Sequence, residues 1–444
     1  MRIVQIAIGT RGDVMPALTI GKALQERGAK VRVVAGTDLA GDVERAGLEP
    51  GSAGVDFKEV MMSEAGLDVI ESGNGANFIT LTRKMKRLFT LHGPTMMRAA
   101  YEACADADAV ITSYTSDVFG VSIAEKLGIP HISTSLQPVP VATGAGQAIP
   151  SAPFKDRDSA INHAFHKVAI EPFNWRLMGA VTNDLRRDVL GLPAQRRRAY
   201  QRTLERSLLL WGVSPSVVPH PRDWPDNIHT TGYWFPPSEP EWTAPKELLD
   251  FLEDGEPPVF AGFGSITTRD PRRTTQLLAE AAAAAGARLL VQAGWAGLGD
   301  DDMPRGCLTI GSVPHEWLFP RVAAVVHHGG CGTTAAGLRA GLPSVVVPHS
   351  ADQPFWGERI TELKVGRAIP WSKLTAGVLA AALREALENE ALRRRAAELG
   401  TRIRAEDGIG VASALIADHL KLSAAPAPAT SQGVEADSGA GHPA

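Results

Sequence analysis

The sequence predicts an α/β protein built from two doubly wound domains. Three observations carry that expectation. The chain has 444 residues, too many for one ordinary core and enough for two of about 200 each. Its first fifty residues alternate apolar strand, Gly turn, amphipathic helix and apolar strand, and the alternation returns after residue 258. Between the two stretches lie nine prolines from Pro219 to Pro258, which interrupt regular structure as an interdomain connection does.

Each element follows from local pattern. Ile3–Ile8 is a short apolar strand, and Gly9-Thr10-Arg11-Gly12-Asp13 is a Gly turn. Pro16 opens a helix with Leu18, Ile20, Ala23 and Leu24 at helical spacing, ended by Gly28. Val31–Ala35 is the next strand, which makes a right-handed crossover in a parallel sheet. Strands at Ala109–Thr112 and Pro130–Ser133 flank a helix from Val118 to Leu127. In the second half, strands are expected at Val259–Phe263, Arg288–Gln292, Ala324–His327 and Ser344–Val347. Helices are expected at Arg272–Ala285 and Thr334–Ala340, then a helical tail from about Leu374 to Leu422. The expected division is 1–218 for the first domain, 219–245 for the linker and 246–400 for the second domain. A C-terminal helix at 401–422 and a disordered Ala/Pro/Ser/Gly-rich tail at 423–444 complete it.

Composition narrows the function. Hydrophobic content is 44% and charged content 21%, as in soluble globular proteins. The net charge of −4 supplies no field for nucleic acid. Cys104, Cys307 and Cys331 lack C-x-x-C spacing, which argues against a disulfide framework or structural zinc and fits a reducing compartment. No stretch reaches the roughly 18 apolar residues of a membrane span. The N-terminus reads as a core strand rather than a leader, so the expected location is the cytoplasm.

The chemistry concentrates in turns after strands. After His327 comes His328-Gly329-Gly330-Cys331-Gly332-Thr333-Thr334. Its glycines let the backbone approach an anion, Thr333 and Thr334 add hydroxyls where a helix begins, and His328 can donate to a phosphate oxygen. A structural Gly turn with cap residues fits the same pattern. Gly262-Phe263-Gly264-Ser265 is a second such turn, and Thr267 breaks a full G-x-G-x-x-G. Asp352-Gln353 pairs a carboxylate with an amide, suited to sugar hydroxyls or to capping a helix.

These motifs resemble the donor-binding signature of family 1 glycosyltransferases. The resemblance is carried by Val313-Pro314-His315-Glu316-Trp317-Leu318-Phe319-Pro320, by His327 to Thr334, and by Asp352-Gln353-Pro354-Phe355-Trp356-Gly357. The opening Gly9-Thr10-Arg11-Gly12-Asp13-Val14-x-Pro16 is similar to that of the sterol 3β-glucosyltransferases and glycopeptide-antibiotic glycosyltransferases. The resemblance covers residues 1 to about 420. It implies a GT-B fold: two Rossmann-like domains facing across a cleft, acceptor in the first and nucleotide sugar in the second, with the C-terminal helix crossing back. It also implies that His328, Gly330, Gly332, Thr333 and Ser265 hold the diphosphate and that Asp352 and Gln353 meet the sugar. Val313 meets the nucleobase through its backbone, and Thr10, Arg11 and Gly12 approach the donor. Plant relatives stack a Trp on the base where this chain has Ser312, and Trp317 is read as a packing residue.

The implied reaction is inverting hexosyl transfer, with glucose from a UDP-sugar as the first expectation and a TDP-deoxysugar as the alternative. No metal is required. The D-x-D within Asp300-Asp301-Asp302 is read as a solvated turn. The plant relatives use a His base in G-H-x-x-P; here no His precedes His92, so Asp13 is the candidate base and Asp117 its possible support.

The acceptor is expected to be a lipophilic small molecule such as a sterol or polyketide. Leu81, Met85, Leu88, Phe89, Leu91, Met96, Met97, Phe165, Phe173 and Trp175 can line its pocket, or simply form core. Arg186, Arg187, Arg196, Arg197, Arg198, Arg202 and Arg206 can rest on anionic lipid, or form a solvated face. A nucleotide-sugar epimerase, a non-catalytic homologue and an NAD-binding oxidoreductase are the rival readings.

Overall fold

The computed structural model describes residues 1–72, 78–139, 141–236, 242–264, 270–295, 297–299 and 303–422; of residues 70–82 only the backbone is considered. Ser265, the acidic run 300–302, the side chain of Leu81 and the 423–444 tail therefore lie outside the described residues.

The first sheet has seven parallel strands. They are β1 (Arg2–Ile6), β2 (Lys30–Ala35), β3 (Glu49–Ser52), β4 (Ala109–Ser113), β5 (His131–Ser135), β6 (Leu208–Trp211) and β7 (Ile228–Thr230). Their order is β3-β2-β1-β4-β5-β6-β7, and Ile3 pairs with Val31 on one side and Ala109 on the other. The second sheet comprises β8 (Val259–Gly262), β9 (Leu289–Gln292), β10 (Cys307–Ile310), β11 (Ala324–His327), β12 (Ser344–Val346) and β13 (Gly366–Ala368). Its order is β10-β9-β8-β11-β12-β13.

Strand order reverses between β1 and β4 in one sheet and between β8 and β11 in the other. Ligands of open α/β sheets bind above such reversals, outside the strand C-termini. Gly9–Asp13 follows β1 and Tyr114–Asp117 follows β4. Gly264 follows β8 and His328 follows β11. The topology thus puts the opening Gly turn and the His328 loop at the reversals, while Asp352 follows β12 and Val313 follows β10.

Four sequence expectations need correction. The first sheet continues to Thr230, inside the segment expected to be linker, because β7 adds a short edge strand beside β6. The first helix starts at Arg11 rather than Pro16, since Thr10 caps it and Asp13 closes a capping box. The C-terminal tail is three helices, Ala376–Glu388, Glu390–Arg404 and Gly408–His419, each with a side-chain N-cap from Thr375, Asn389 or Asp407. The arginine run is not a uniform face. Arg186 is buried and forms a bidentate pair with Glu125 at 2.8 and 3.0 Å, while Arg197 pairs with Glu171 at 3.1 Å.

The apolar residues suggested as pocket lining also divide. Leu88, Met96 and Met97 are buried among Val4, Ile6 and Phe119, so they are core. Phe89 packs on Phe119 and Trp175 on Tyr200. Leu91 and Phe173 are exposed, and Met85 and Phe165 half-buried.

Two features hold the domains together. One is an apolar seam in which Val346, Phe355, Trp356 and Ile360 share a core with Val139, Val141, Trp211 and Val217. Arg359 donates to the Val217 carbonyl at its edge at 2.6 and 3.2 Å, and Lys155 pairs with Glu358 at 2.6 Å. The other is the Gly408–His419 helix, which packs on the Arg11–Glu26 helix and buries Ala412, Ile416 and Leu420 in the first domain's core. The expected crossing back of the C-terminal helix is therefore present. Ile416→Ala is expected to lower unfolding stability by about 2–4 kcal/mol through cavity formation. A urea midpoint equal to that of the parent chain would show that the helix is not docked.

Candidate active site

Asp13 lies in the first turn of its helix. Its carboxylate accepts from the Thr10 backbone N–H at 3.0 Å, from Thr10 Oγ1 at 3.4 Å and from Thr115 Oγ1 at 3.1 Å. Burial pushes its pKa above the usual carboxylate value, and these hydrogen bonds oppose the rise. The residue that reaches Asp13 is thus Thr115. Asp117 is fully buried two residues further on, where it accepts from Thr112 and from Ser133 Oγ at 2.7 Å and lies 3.6 Å from His131. Asp117 is not among the hydrogen-bond partners of Asp13. Its neighbour Ser116 accepts from the Ile8 N–H at 2.9 Å, which ties the β4 loop to the end of β1.

Arg11 turns to Asp42 at 3.3 Å, within its own domain. Thr10 Oγ1 is occupied by the Gly12 N–H at 3.3 Å. These residues shape the turn and support Asp13; the structure does not aim the Arg11 guanidinium at the opposite domain.

Across the cleft, His328, Gly330, Gly332 and Thr333 lie together at the start of the Cys331–Ala340 helix. That helix has no side-chain N-cap, so first-turn N–H groups are available to an anion. Gly332 is exposed, and the space a Cβ would occupy there is open. At Gly330 a Cβ would lie 2.4 Å from His328 Nε2, so only glycine lets the imidazole lie against the loop. Burial lowers the His328 pKa to about 4, helped by His349, so the ring is neutral near pH 7. Its Nδ1 is buried without a hydrogen-bond partner.

Asp352 precedes the Gln353–Glu362 helix and does not cap it. Its Oδ2 accepts from Trp356 Nε1 at 2.6 Å, a partner signalled only by the i,i+4 spacing. Burial raises its pKa to about 6, Trp356 opposes the rise, and the charge of Asp13 adds to it. That coupling places the two carboxylates within electrostatic reach across the cleft. Gln353 differs from expectation. Its Oε1 accepts from the N–H groups of His349 at 2.8 Å and Ser350 at 3.0 Å, so only its NH2 remains to meet a ligand.

Val313 is buried beside Leu318 and Phe319, so only its backbone can face a ligand, and Ser312 beside it is exposed. Trp317 packs on Trp242 at 4.9 Å and under Arg321, as a packing residue. Among the described residues no group of three or more His, Cys, Asp or Glu is placed to hold a metal ion. Ser265 and residues 300–302 lie outside that statement.

The raised Asp352 pKa has a consequence for stability. The folded state keeps a proton that the unfolded chain has released, so from pH 3.8 to about 6 this group's contribution falls as pH rises. Asp352→Asn is therefore expected to gain about 1–3 kcal/mol over the parent chain above pH 6 and nothing at pH 3. Thermal melts at pH 3 and pH 8 read this, and a loss of stability at pH 8 contradicts it.

Two family models match the chain. Residues 3–143 match the glycosyltransferase family 28 N-terminal domain, and residues 277–413 match the C-terminal domain of erythromycin biosynthesis protein CIII-like proteins. A sterol 3-beta-glucosyltransferase of Aspergillus fumigatus is 34% identical over 438 residues, 95% of this chain. One from Yarrowia lipolytica is 34% identical over 91% of it. The chain spans only 30% and 28% of those two proteins' lengths. Among solved structures, the kitacinnamycin glycotransferase superposes with a TM-score of 0.67 at 21% identity, covering 94% of this chain and 99% of that one. The Streptomyces sp. SF2575 glycosyltransferase SsfS6 complexed with thymidine diphosphate gives 0.61 at 20%, covering 94% and 99%. A family 28 domain match thus precedes a CIII-like domain match, and the two-sheet arrangement is the GT-B fold of those solved glycosyltransferases.

Proposed function

We propose that the chain transfers a hexosyl group, glucose first among candidates, from a nucleoside diphosphate sugar to the hydroxyl of a lipophilic alcohol, inverting the anomeric carbon. The observation that carries this reading is the facing pair of sheet reversals: a buried carboxylate, Asp13, on one side and an uncapped helix N-terminus beside neutral His328 on the other. The sterol 3-beta-glucosyltransferases among its relatives support a sterol-like acceptor.

In the proposed step the acceptor oxygen attacks the anomeric carbon as the bond to the diphosphate oxygen breaks. The bonding pair leaves with the diphosphate, and the acceptor proton passes to Asp13. A raised pKa makes Asp13 a stronger base than an ordinary carboxylate. Thr115 and the Thr10 N–H orient the carboxylate. First-turn N–H groups at Gly332 and Thr333, with His328 donating from a neutral ring, stabilise the departing charge. They supply that stabilisation without requiring a divalent ion, so EDTA is expected to leave turnover unchanged. Asp352, with the remaining NH2 of Gln353, meets the sugar hydroxyls.

The thymidine diphosphate held by SsfS6 favours TDP-sugars as the second donor class. The exposed Arg196, Arg198, Arg202 and Arg206 are the part of the arginine run left to face anionic lipid. No described helix is long and apolar enough to cross a membrane.

Incubation with UDP-glucose or TDP-glucose and a panel of sterols and polyketide alcohols, read by mass spectrometry, tests the reading; donor bound but no acceptor glycosylated sinks it. Asp13→Asn is expected to cut turnover at least about a hundredfold while leaving nucleoside diphosphate affinity nearly intact. Near-normal turnover in that folded variant removes Asp13 as base. His328→Ala is expected to weaken nucleoside diphosphate binding, and an unchanged dissociation constant by calorimetry removes His328 from the donor site.

A further inference from the structure

We infer that Trp295 is the platform on which the nucleobase of the donor stacks. The inference rests on the nucleotide-sugar reading above and adds to it a residue outside the recognised motifs.

The chain has nine tryptophans. Eight are committed within the fold. Trp175, Trp211, Trp224, Trp242, Trp317, Trp356 and Trp371 pack against other rings, and Trp234 donates its indole N–H to Thr231 at 3.0 Å. Among the described residues Trp295 alone pairs with no ring and makes no indole hydrogen bond. It is half-buried in the turn after β9, at the ligand-binding edge of the sheet. A large ring left partly wet at such an edge gains from a flat ligand that covers it.

The turn is held from both sides. The Ala293 N–H donates to the Ile310 carbonyl at 3.1 Å, so the turn starts against the end of β10. The Trp295 N–H donates to the Gly264 carbonyl at 3.0 Å, next to the phosphate side. Gly294 makes this approach possible: its φ is +57°, and a Cβ there would lie 2.5 Å from the Gly264 oxygen. Leu298 anchors the far end in the core and bonds back to the Ala293 carbonyl at 2.9 Å.

Sheet order then sets the path of a ligand. Moving from β11 through β8 and β9 to β10, it meets His328, Gly264, Trp295 and finally Gly311–Val313. Strands lie about 4.8 Å apart, so His328 and Trp295 are separated by roughly 10 Å along the edge. That is comparable to a diphosphate plus ribose. A nucleotide with its diphosphate at His328 therefore brings its base to Trp295, with the Val313 backbone beyond it to meet the base edge. Ser312 is exposed there and offers no ring, so stacking falls to the neighbouring turn.

Stacking on an aromatic face tolerates any base, whereas the phosphate cradle does not depend on the ring. Isothermal titration of the full chain with UDP, TDP and inorganic pyrophosphate separates the two. Trp295→Leu is expected to weaken UDP and TDP by about tenfold or more, to leave pyrophosphate within about twofold, and Trp295→Phe to retain nucleotide affinity within about threefold. UDP and TDP affinities unchanged in Trp295→Leu overturn the stacking role and leave the donor reading intact. Equal loss of pyrophosphate and nucleotide in Trp295→Leu overturns it too, because the turn then only supports the cradle. A parent chain that binds pyrophosphate but neither nucleotide overturns both this inference and the donor assignment. Should Trp295→Leu fail to fold by circular dichroism, full retention by Trp295→Phe together with at least about tenfold loss in Trp295→Tyr or Trp295→His, each folded, is not expected of a platform and counts against it.

Discussion

Trp356 joins the fold to the site. Its ring is fully buried in the seam between the two domains, among residues from both. Its indole N–H holds Asp352 at 2.6 Å. The packing that fixes the angle between the sheets therefore also fixes the carboxylate that faces Asp13. If the seam loosened, Asp352 and Asp13 would drift apart together with the two strand reversals that carry them. A second tether, the Gly408–His419 helix on the first domain, closes the arrangement from the far side.

That geometry explains the electrostatics of the cleft. Burial dominates the shifts of the site's principal ionisable groups, lifting Asp13 and Asp352 and keeping His328 and His349 neutral. With the imidazoles uncharged, the positive end of the cleft is the backbone of the Cys331–Ala340 helix. Such preorganised dipoles act strongly where water is excluded and need no reorganisation as charge develops. The two carboxylates stand opposite, one bound to a hydroxyl–amide cradle of Thr115 and Thr10, the other to an indole. Each is oriented by a different partner.

Much of this was legible in the residues, and the failures have physical causes. Strands β1, β4, β8, β9, β11 and β12 are mainly apolar runs buried on both faces, the pattern of central parallel strands, whereas β2 carries Lys30 and Arg32 and β5 reads His131-Ile132-Ser133-Thr134-Ser135. Strand β3 reads Glu49-Pro50-Gly51-Ser52 and β13 reads Gly366-Arg367-Ala368; both are edge strands, without the apolar run that marks a strand in sequence. The Gly-rich loop after His327, Asp13 and Asp352 stand out in the sequence because their motifs are contiguous. Thr115 does not, since its contact with Asp13 spans 102 residues of chain and depends on β1 and β4 being neighbours. The commitment of Gln353 Oε1 to two backbone N–H groups depends on the turn at His349 and Ser350, which no composition reveals. Trp295 carries no signature in the sequence, because one Trp in a Gly-rich turn has none until sheet order puts it between Gly264 and Val313.

The proposed reaction is a single displacement assisted by one base, Asp13, between the two sheet reversals. The anomeric configuration of the product, read by proton NMR after reaction with an α-linked nucleoside diphosphate hexose, tests it most directly. A β-linked product is the expected result. An α-linked product would require a second displacement or a front-side path, for which Asp13 in this position has no role, and would contradict the account.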